Sequence, residues 1–340
     1  MTSTRARTLG ISFILANLAF QLFYGSPAWS WGANGHAIIA RNAVKLLPSE
    51  LRRAFAGHDA DISHYSVVPD IVWKPDPGVR AIEQPVHYLN SENFVPSAID
   101  PRFPSSVQEA RQRYRAPADK PALTFEGNGT LPWRAQQFQR ILADNFDRAR
   151  RADNRRGTVQ AAKSIGLNSG LLAHSIGDAT QPFHSTYNHN GRSSGHSGIH
   201  QYFEDRVLDV LAERQGLERK SLALARQKGA AWRQNMNTRD PAGMTLGLLR
   251  DSFPMVQTIH QLDTQYALIP GQTGPSGRLA RRPAGAVAVY FADVIEDRLA
   301  LASVSLAALI EDAWIQAGRP TLRTVFGKFL EKPPYIYPRL

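Results

Sequence analysis

Two histidine–carboxylate pairs, each with a spacing of four residues, constrain the fold of this chain more than any other feature of its sequence. His174 precedes Asp178 in the segment LLAHSIGDATQPFH, and His200 precedes Glu204 in GIHQYFEDRV. Residues four apart on an α-helix lie on one face, with Cβ atoms roughly 5–6 Å apart. If both segments are helical, each pair can bring an imidazole and a carboxylate to the same metal ion. His184 lies between the two pairs and adds a further imidazole.

These five side chains offer only nitrogen and oxygen donors, and the chain contains no cysteine. A lone buried histidine is usually a hydrogen-bonded core residue, and a lone His-x-x-x-Asp is usually an ion pair on a helix surface. Five such residues between 174 and 204 instead suit zinc in a hydrolytic site. His189 and His196 are close enough in sequence to compete with His200 as ligands.

Apolar residues recur with a helical period through most of the chain, and strand signals are scarce. The predicted helical segments are 38–47, 51–55, 161–176, 249–262 with a kink or a start at Pro254, and about 287–315. Two stretches rich in proline, or in glycine and arginine, predict long surface loops at 96–133 and 270–283. The expected fold class is all-α, a single compact domain of roughly seven to ten helices.

The first thirty residues have the pattern of a secretion signal. Arg5 and Arg7 precede a largely apolar stretch at 9–23, and Ala28-Trp29-Ser30 offers small residues to a signal peptidase. The stretch is shorter than the ~20 residues that span a bilayer, and we expect no later segment to be long and apolar enough to span one. We expect cleavage after Ser30 and a secreted or periplasmic location.

The charge of the chain favours anionic partners. The formal net charge is +11, and an exported chain without cysteine must be held together by core packing or by metal. A basic surface attracts nucleic acid, anionic lipid head groups or polymers of the cell envelope. The same excess also serves solubility alone, so both interpretations stay open.

The ordered set of candidate ligands resembles that of the zinc-dependent phospholipase C and S1/P1 nuclease superfamily. In that family the N-terminal tryptophan of the mature chain binds metal through its amino nitrogen and carbonyl oxygen, and Trp31 in WGANGH would fill that role. Further matches lie in SVVPD and PVHYLN. The nine matching positions are Trp31, His36, Asp70, His87, His174, Asp178, His184, His200 and Glu204. The resemblance covers 31–205, whereas 206–340 carries no motif and is expected to be a helical part of the same domain, 31–340.

The resemblance implies three Zn²⁺ ions per chain. The implied ligands are Asp70, His87, His174 and Asp178 for the first ion, His184, His200 and Glu204 for the second, and Trp31, His36 and a bridging Asp178 for the third. The implied reaction is in-line displacement at phosphorus by a metal-bound hydroxide, with Asp70 as the residue that orients or deprotonates the water. Cleavage before Trp31 would then assemble the third site.

The same pattern leaves two substrate classes open. The five-residue step from Trp31 to His36 and the positive charge resemble the nuclease branch, whereas Glu204 as the last ligand, SVVPD around Asp70 and the absence of cysteine resemble the phospholipase branch. We predict phospholipase C-like cleavage of phospholipid head groups. The alternatives are hydrolysis of single-stranded DNA or RNA, and a non-catalytic, zinc-stabilised protein that binds the cell envelope. We expect a monomer with at most peripheral membrane contact.

Aromatic residues near the ligands could stack a nucleobase or hold a cationic head group, although such a residue more often belongs to the core. They are Trp73, Tyr88, Phe183, Tyr187, Tyr202 and Phe203.

Overall fold

Long helices dominate the computed structural model of this chain, which describes residues 31–93, 107–116, 120–274 and 278–322. The predicted secretion signal at 1–30 lies outside the described residues. The helices of eight residues or more are α1 (Gly32–Leu46), α2 (Asp59–Val68), α3 (Leu131–Arg151), α4 (Arg155–Thr180), α5 (Leu217–Gln234), α6 (Pro241–Ser252), α7 (Met255–Leu262) and α8 (Ala284–Gln316). The prediction of an all-α fold is therefore confirmed.

Short helical segments connect the long ones. The α-helical ones are Ser49–Ala54, Arg80–Glu83, Val107–Arg113, Phe125–Asn128, Ile199–Gln201 and Leu208–Arg214, and the 3₁₀ ones are Gln84–His87, Ser91–Asn93 and Pro182–Ser185. π-helical turns occur at Pro69–Trp73, Tyr202–Val207 and Asp263–Ala267. Such turns are frequent at functional sites, and two of them carry predicted ligands, Asp70 and Glu204.

The predicted helices are confirmed, and Pro254 lies at the break between α6 and α7. The two predicted loops are wrong in part. The stretch 270–283 lies largely in an antiparallel hairpin of β1 (Leu268–Thr273) and β2 (Leu279–Arg281). The described part of 96–133 contains two short helices and the start of α3. Buried anchors explain both differences: Arg281 pairs with a fully buried Asp263, and Phe125 packs into the core.

Helix α8 is long and apolar enough to cross a membrane by length and composition, with a mean hydropathy of 1.4 over its most apolar 18-residue window. The expectation that no later segment reaches this threshold is therefore wrong. In the folded protein 83% of that window is buried, which is typical of the central helix of a core. Helix α8 packs against α1, α4, α5 and α3.

One hydrophobic cluster runs from Trp31 to the end of α8 and unites the helices around α4. Helix α4 packs on one side against α3 and on another against α2. Gly170 permits the second contact, because a Cβ at this position would lie 2.3 Å from the Tyr65 Cβ and 2.8 Å from the Ile62 carbonyl oxygen. The close crossing places the C-terminal end of α2, which leads into Asp70, beside His174 of α4.

Candidate metal centre

Three groups of buried histidine and carboxylate side chains could each hold a metal ion. Within each group the ligand atoms lie within 4.8 Å of one another. The groups are Asp70, His87 and His174; His36, His174 and Asp178; and His184, His200 and Glu204. Eight of the nine predicted ligands therefore meet in space, although they come from five separate parts of the chain.

Asp178 lies at the centre of the three groups and is fully buried. Its Oδ2 atom is 3.0 Å from Nδ1 of His87 and 3.3 Å from Nε2 of His174. Its Oδ1 atom is 3.5 Å from Nε2 of His36 and 3.8 Å from Nδ1 of His184. The carboxylate can therefore serve two of the groups at once, as a bridging ligand must.

Backbone carbonyls fix the orientation of two ligand rings. Nδ1 of His174 donates to the Ser66 carbonyl at 2.8 Å, and Nδ1 of His184 donates to the His87 carbonyl. A carbonyl oxygen only accepts, so the proton must reside on Nδ1 in both rings and Nε2 keeps its lone pair. Outer contacts of this kind are typical of metal-binding histidines.

Several polar atoms in the centre are buried without a hydrogen-bond partner. Among them are both ring nitrogens of His36, Nδ1 of His200 and Oε1 of Glu204. Leaving such an atom unsatisfied costs about 1–3 kcal/mol, and native proteins usually avoid it. Bound cations would satisfy these atoms. The imidazole and carboxylate donors present fit zinc.

The first group carries opposing charges in the metal-free protein. Burial and the Lys74 charge lower the pKa of His87, but the hydrogen bond to Asp178 and the Glu83 carboxylate 3.6 Å from Nε2 outweigh them and raise it to about 9. Burial raises the pKa of Asp70, but the charges of Lys74, His174 and His87 lower it to about 2. A proton on His87 thus stands where a metal ion would neutralise the carboxylates.

The second group differs in its electrostatics. Burial lowers the pKa of His184 and of His200 to about 3, so both rings are neutral and able to bind a cation at neutral pH. Burial also raises the pKa of Glu204 well above its usual range. Gln181 donates to Oε2 of Glu204 at 2.7 Å and so holds the carboxyl toward His200.

We predict that zinc affinity of the metal-free protein rises with pH between about 6 and 9. Because the pKa of His87 is raised to about 9 and that of Glu204 is raised, both groups must release protons when a cation binds. Competition against a chelator of known affinity, repeated across this range, measures the effect. An affinity that does not change with pH after correction for the chelator would contradict it.

Trp31 and His36, the ligands predicted for a third ion, lie five residues apart at the start of α1, where Trp31 immediately precedes the helix. The Trp31 carbonyl accepts from the Gly35 N–H at 3.1 Å, and the Trp31 indole N–H donates to the Gly177 carbonyl at 2.8 Å. Gly177 also makes room for His36, because a Cβ there would lie 2.6 Å from Nδ1 of His36. The segment that begins at Trp31 is thus anchored beside Asp178.

An open pocket of about 380 Å³ adjoins the centre, and the largely buried rings of His87, His184 and His200 line it. Three of the predicted aromatic residues line it, namely Tyr88, Phe183 and Tyr187. The other three do not: Trp73 and Phe203 are buried in the core, and the Tyr202 hydroxyl donates to the Arg282 carbonyl.

The two competing histidines have different surroundings. His189 lines the pocket, with its ring centroid 5.9 Å from that of His200. His196 is buried elsewhere: its Nδ1 lies 2.8 Å from Asp263, and its ring stacks on that of His260 at 4.2 Å. Neither belongs to the three ligand groups.

Sequence reasoning missed four charged residues at the centre. Lys74 and Arg80 line the pocket, and Nζ of Lys74 lies 3.3 Å from Oδ1 of Asp70. Glu83 and Arg134 are buried behind His87. Spacing could have indicated two of them, because Lys74 follows Asp70 by four residues and Glu83 precedes His87 by four.

The chain matches no family model and no curated protein. What the geometry shows by itself is a mostly helical protein with buried histidine and carboxylate groups that could hold metal ions.

Proposed function

We propose that this protein is a zinc-dependent phosphodiester hydrolase of the phospholipase C/S1-P1 nuclease type, with a centre for three zinc ions. The observation that carries the proposal is the convergence of three ligand groups on Asp178 beside an open pocket. The ligand order in the sequence, from Trp31 to Glu204, supports the same assignment.

A purely structural role for the metal fits less well. Structural zinc sites are closed, usually by four protein ligands, whereas catalytic sites keep an open position. The group of His184, His200 and Glu204 offers three side chains, and two of these line the pocket. A ligand position that faces the pocket can accept water or substrate.

Bound zinc would supply Lewis acidity at the scissile phosphoryl group and lower the pKa of the attacking water. The residues of the chain would contribute position and charge. Asp70, with a pKa of about 2, stays ionised and can orient the water. Lys74 lies beside Asp70 and lines the pocket, so its ammonium can attract the phosphate that undergoes attack.

Replacement of Asp70 by asparagine is expected to retain part of the zinc and to lose most turnover, by a factor of about 10²–10⁴. The amide keeps the shape of the side chain but accepts no proton. Metal analysis and kcat on one phosphodiester substrate measure the two effects. Asp61→Asn, which removes a surface partner of His58 from α2, is the matched control. Wild-type turnover in Asp70→Asn would remove Asp70 from the reaction.

The pocket favours an anionic substrate, and we propose single-stranded nucleic acid as the first candidate. Lys74 and Arg80 line the pocket, and among the described residues no aspartate or glutamate does. Two cations suit a chain of phosphates, and the Tyr88 ring offers a face on which a base can stack. The Lys120 ammonium lies 3.1 Å from the centre of the Tyr187 ring and adds a third positive charge beside the pocket. The quaternary ammonium of a phosphocholine head group would meet like charge instead.

Phospholipid remains the second candidate. The features that favour it are Glu204 as the last ligand and the SVVPD segment around Asp70. A phospholipid with an anionic head group would also suit the two pocket cations.

An activity panel on protein that begins at Trp31 tests the proposal. Single-stranded DNA, RNA, a 3′-nucleotide, phosphatidylcholine and phosphatidylglycerol are offered with and without a chelator. We expect chelator-sensitive cleavage of nucleic acid. Diacylglycerol release without cleavage of nucleic acid would favour the second candidate, and no cleavage of any substrate after zinc is restored would contradict the proposed function.

A further inference from the structure

We infer that Glu83 and Arg134 are positioning residues that select which ring nitrogen of His87 binds metal. The inference rests on the proposed zinc centre and concerns two residues outside its predicted ligand set. Neither residue lines the pocket, and both are almost completely buried, with 2% and 1% of their surface exposed.

The His87 ring lies between the metal centre and Glu83. Its Nδ1 atom faces the centre, 2.9 Å from Nε2 of His174 and 3.0 Å from Oδ2 of Asp178. Its Nε2 atom faces the other way, 3.6 Å from Oε1 of Glu83. The carboxylate can only accept, so it favours a proton on Nε2 and leaves the Nδ1 lone pair for a metal ion.

Arg134 lies behind Glu83. Its guanidinium Nη2 atom is 3.5 Å from Oε2 of Glu83, the carboxylate oxygen that does not face His87. Nη1 donates to Gln137 at 2.6 Å, and the guanidinium carbon lies 5.4 Å from the centre of the Phe138 ring. These contacts hold the arginine in one orientation beside the Glu83 carboxyl group.

The position of Arg134 in α3 indicates a role beyond stabilising the fold. A cation in the first turn of a helix meets the positive end of the helix dipole, and burial adds a desolvation cost. Arg134 is in the first turn of α3 and is buried. A buried arginine at this end of a helix needs a compensating carboxylate, and Glu83 supplies one that also faces a metal ligand.

Backbone hydrogen bonds fix the segment that carries His87 to the start of α3. Thr130 N–H donates to the Pro85 carbonyl at 2.8 Å, and Leu131 N–H donates to the Tyr88 carbonyl at 3.3 Å. These hydrogen bonds therefore fix the position of Arg134 relative to the segment that carries Glu83 and His87. Glu83 and Arg134 thus orient the ring before metal binds, as outer residues of metal centres do.

Two measurements on zinc-loaded protein test the inference without any activity assay. Nitrogen-15 NMR of labelled histidines reports which His87 nitrogen carries the proton and which carries the metal, and competition with a chelator reports zinc affinity. In the wild type we expect metal on Nδ1 and a proton on Nε2. In Glu83→Ala we expect the loss of this single state and a roughly 10–100-fold weaker affinity. Glu83→Gln keeps an accepting oxygen and should lose less.

Glu218→Ala is the control, because it removes a partly buried carboxylate that pairs with Arg41 and Lys45 away from the ligands. We expect a change in its unfolding free energy and unchanged zinc affinity. If Glu83→Ala does not fold, Arg134→Met keeps the carboxylate and should show the same loss in smaller measure.

The outcomes separate the two proposals. A wild type that takes up no zinc contradicts the proposed function, and with it this inference. A wild type that binds zinc, together with a Glu83→Ala protein of equal affinity and unchanged His87 nitrogen shifts, overturns the inference alone.

Discussion

Substitution of Asp178 by asparagine is expected to remove most of the bound zinc and to destabilise the metal-free protein by about 3–5 kcal/mol. The carboxylate lies within 3.8 Å of four histidines, so it can serve two of the ligand groups at once. An amide is a weaker ligand than a carboxylate. The substitution would also leave His87, whose pKa is raised to about 9, without the carboxylate closest to its ring. Metal analysis and denaturant unfolding measure the two effects separately.

Asp312→Asn is the matched control for Asp178→Asn. Asp312 is also a buried aspartate on a long helix, but it pairs with Arg239 and accepts from Gln139 rather than from metal ligands. We expect a loss of stability with no loss of zinc. If Asp178→Asn binds as much zinc as Asp312→Asn does, the central role of Asp178 is wrong.

Replacement of Gly129 by alanine is expected to cost roughly 2–6 kcal/mol of unfolding free energy. The residue has φ 99° and ψ 149°, a conformation that side chains strongly disfavour, and an added Cβ would lie 2.1 Å from the Tyr88 carbonyl oxygen. That oxygen can move only with the segment that carries His87. We therefore expect a loss of zinc affinity as well, measured by chelator competition on the folded fraction.

Gly57→Ala separates the cost of the positive φ from the cost of contact with Tyr88. Gly57 also has a positive φ, 81°, but an added Cβ would meet nothing within 4 Å. It should cost only about 1–2 kcal/mol and leave zinc affinity unchanged. Equal losses of stability in the two variants would show that contact with Tyr88 contributes nothing.

The ligands on single helices could be predicted from the sequence because helical spacing alone brings them together. His174 with Asp178, and His200 with Glu204, needed no knowledge of the rest of the fold. Asp70, His87 and His36 were predicted only through the family resemblance, because tertiary packing, including the close crossing at Gly170, brings them to α4.

The residues that sequence reasoning missed depend on contacts across the fold. In the sequence, Arg134 has the pattern of an ordinary charged residue of an amphipathic helix. Only its contact with Glu83 gives it a role at the candidate metal centre. The hairpin at 268–281 was missed for a similar reason, since the Asp263–Arg281 ion pair that anchors it is a tertiary contact that residue spacing does not indicate. Helix α8 misled in another way, because a central core helix has the composition of a membrane span.

The most direct test of the central claim is X-ray diffraction above and below the zinc absorption edge, on crystals of protein that begins at Trp31 and is loaded with zinc. The account predicts three anomalous peaks around Asp178, one in each ligand group, with a free coordination position toward the pocket. No peak, or a single zinc closed by four protein ligands, would contradict it.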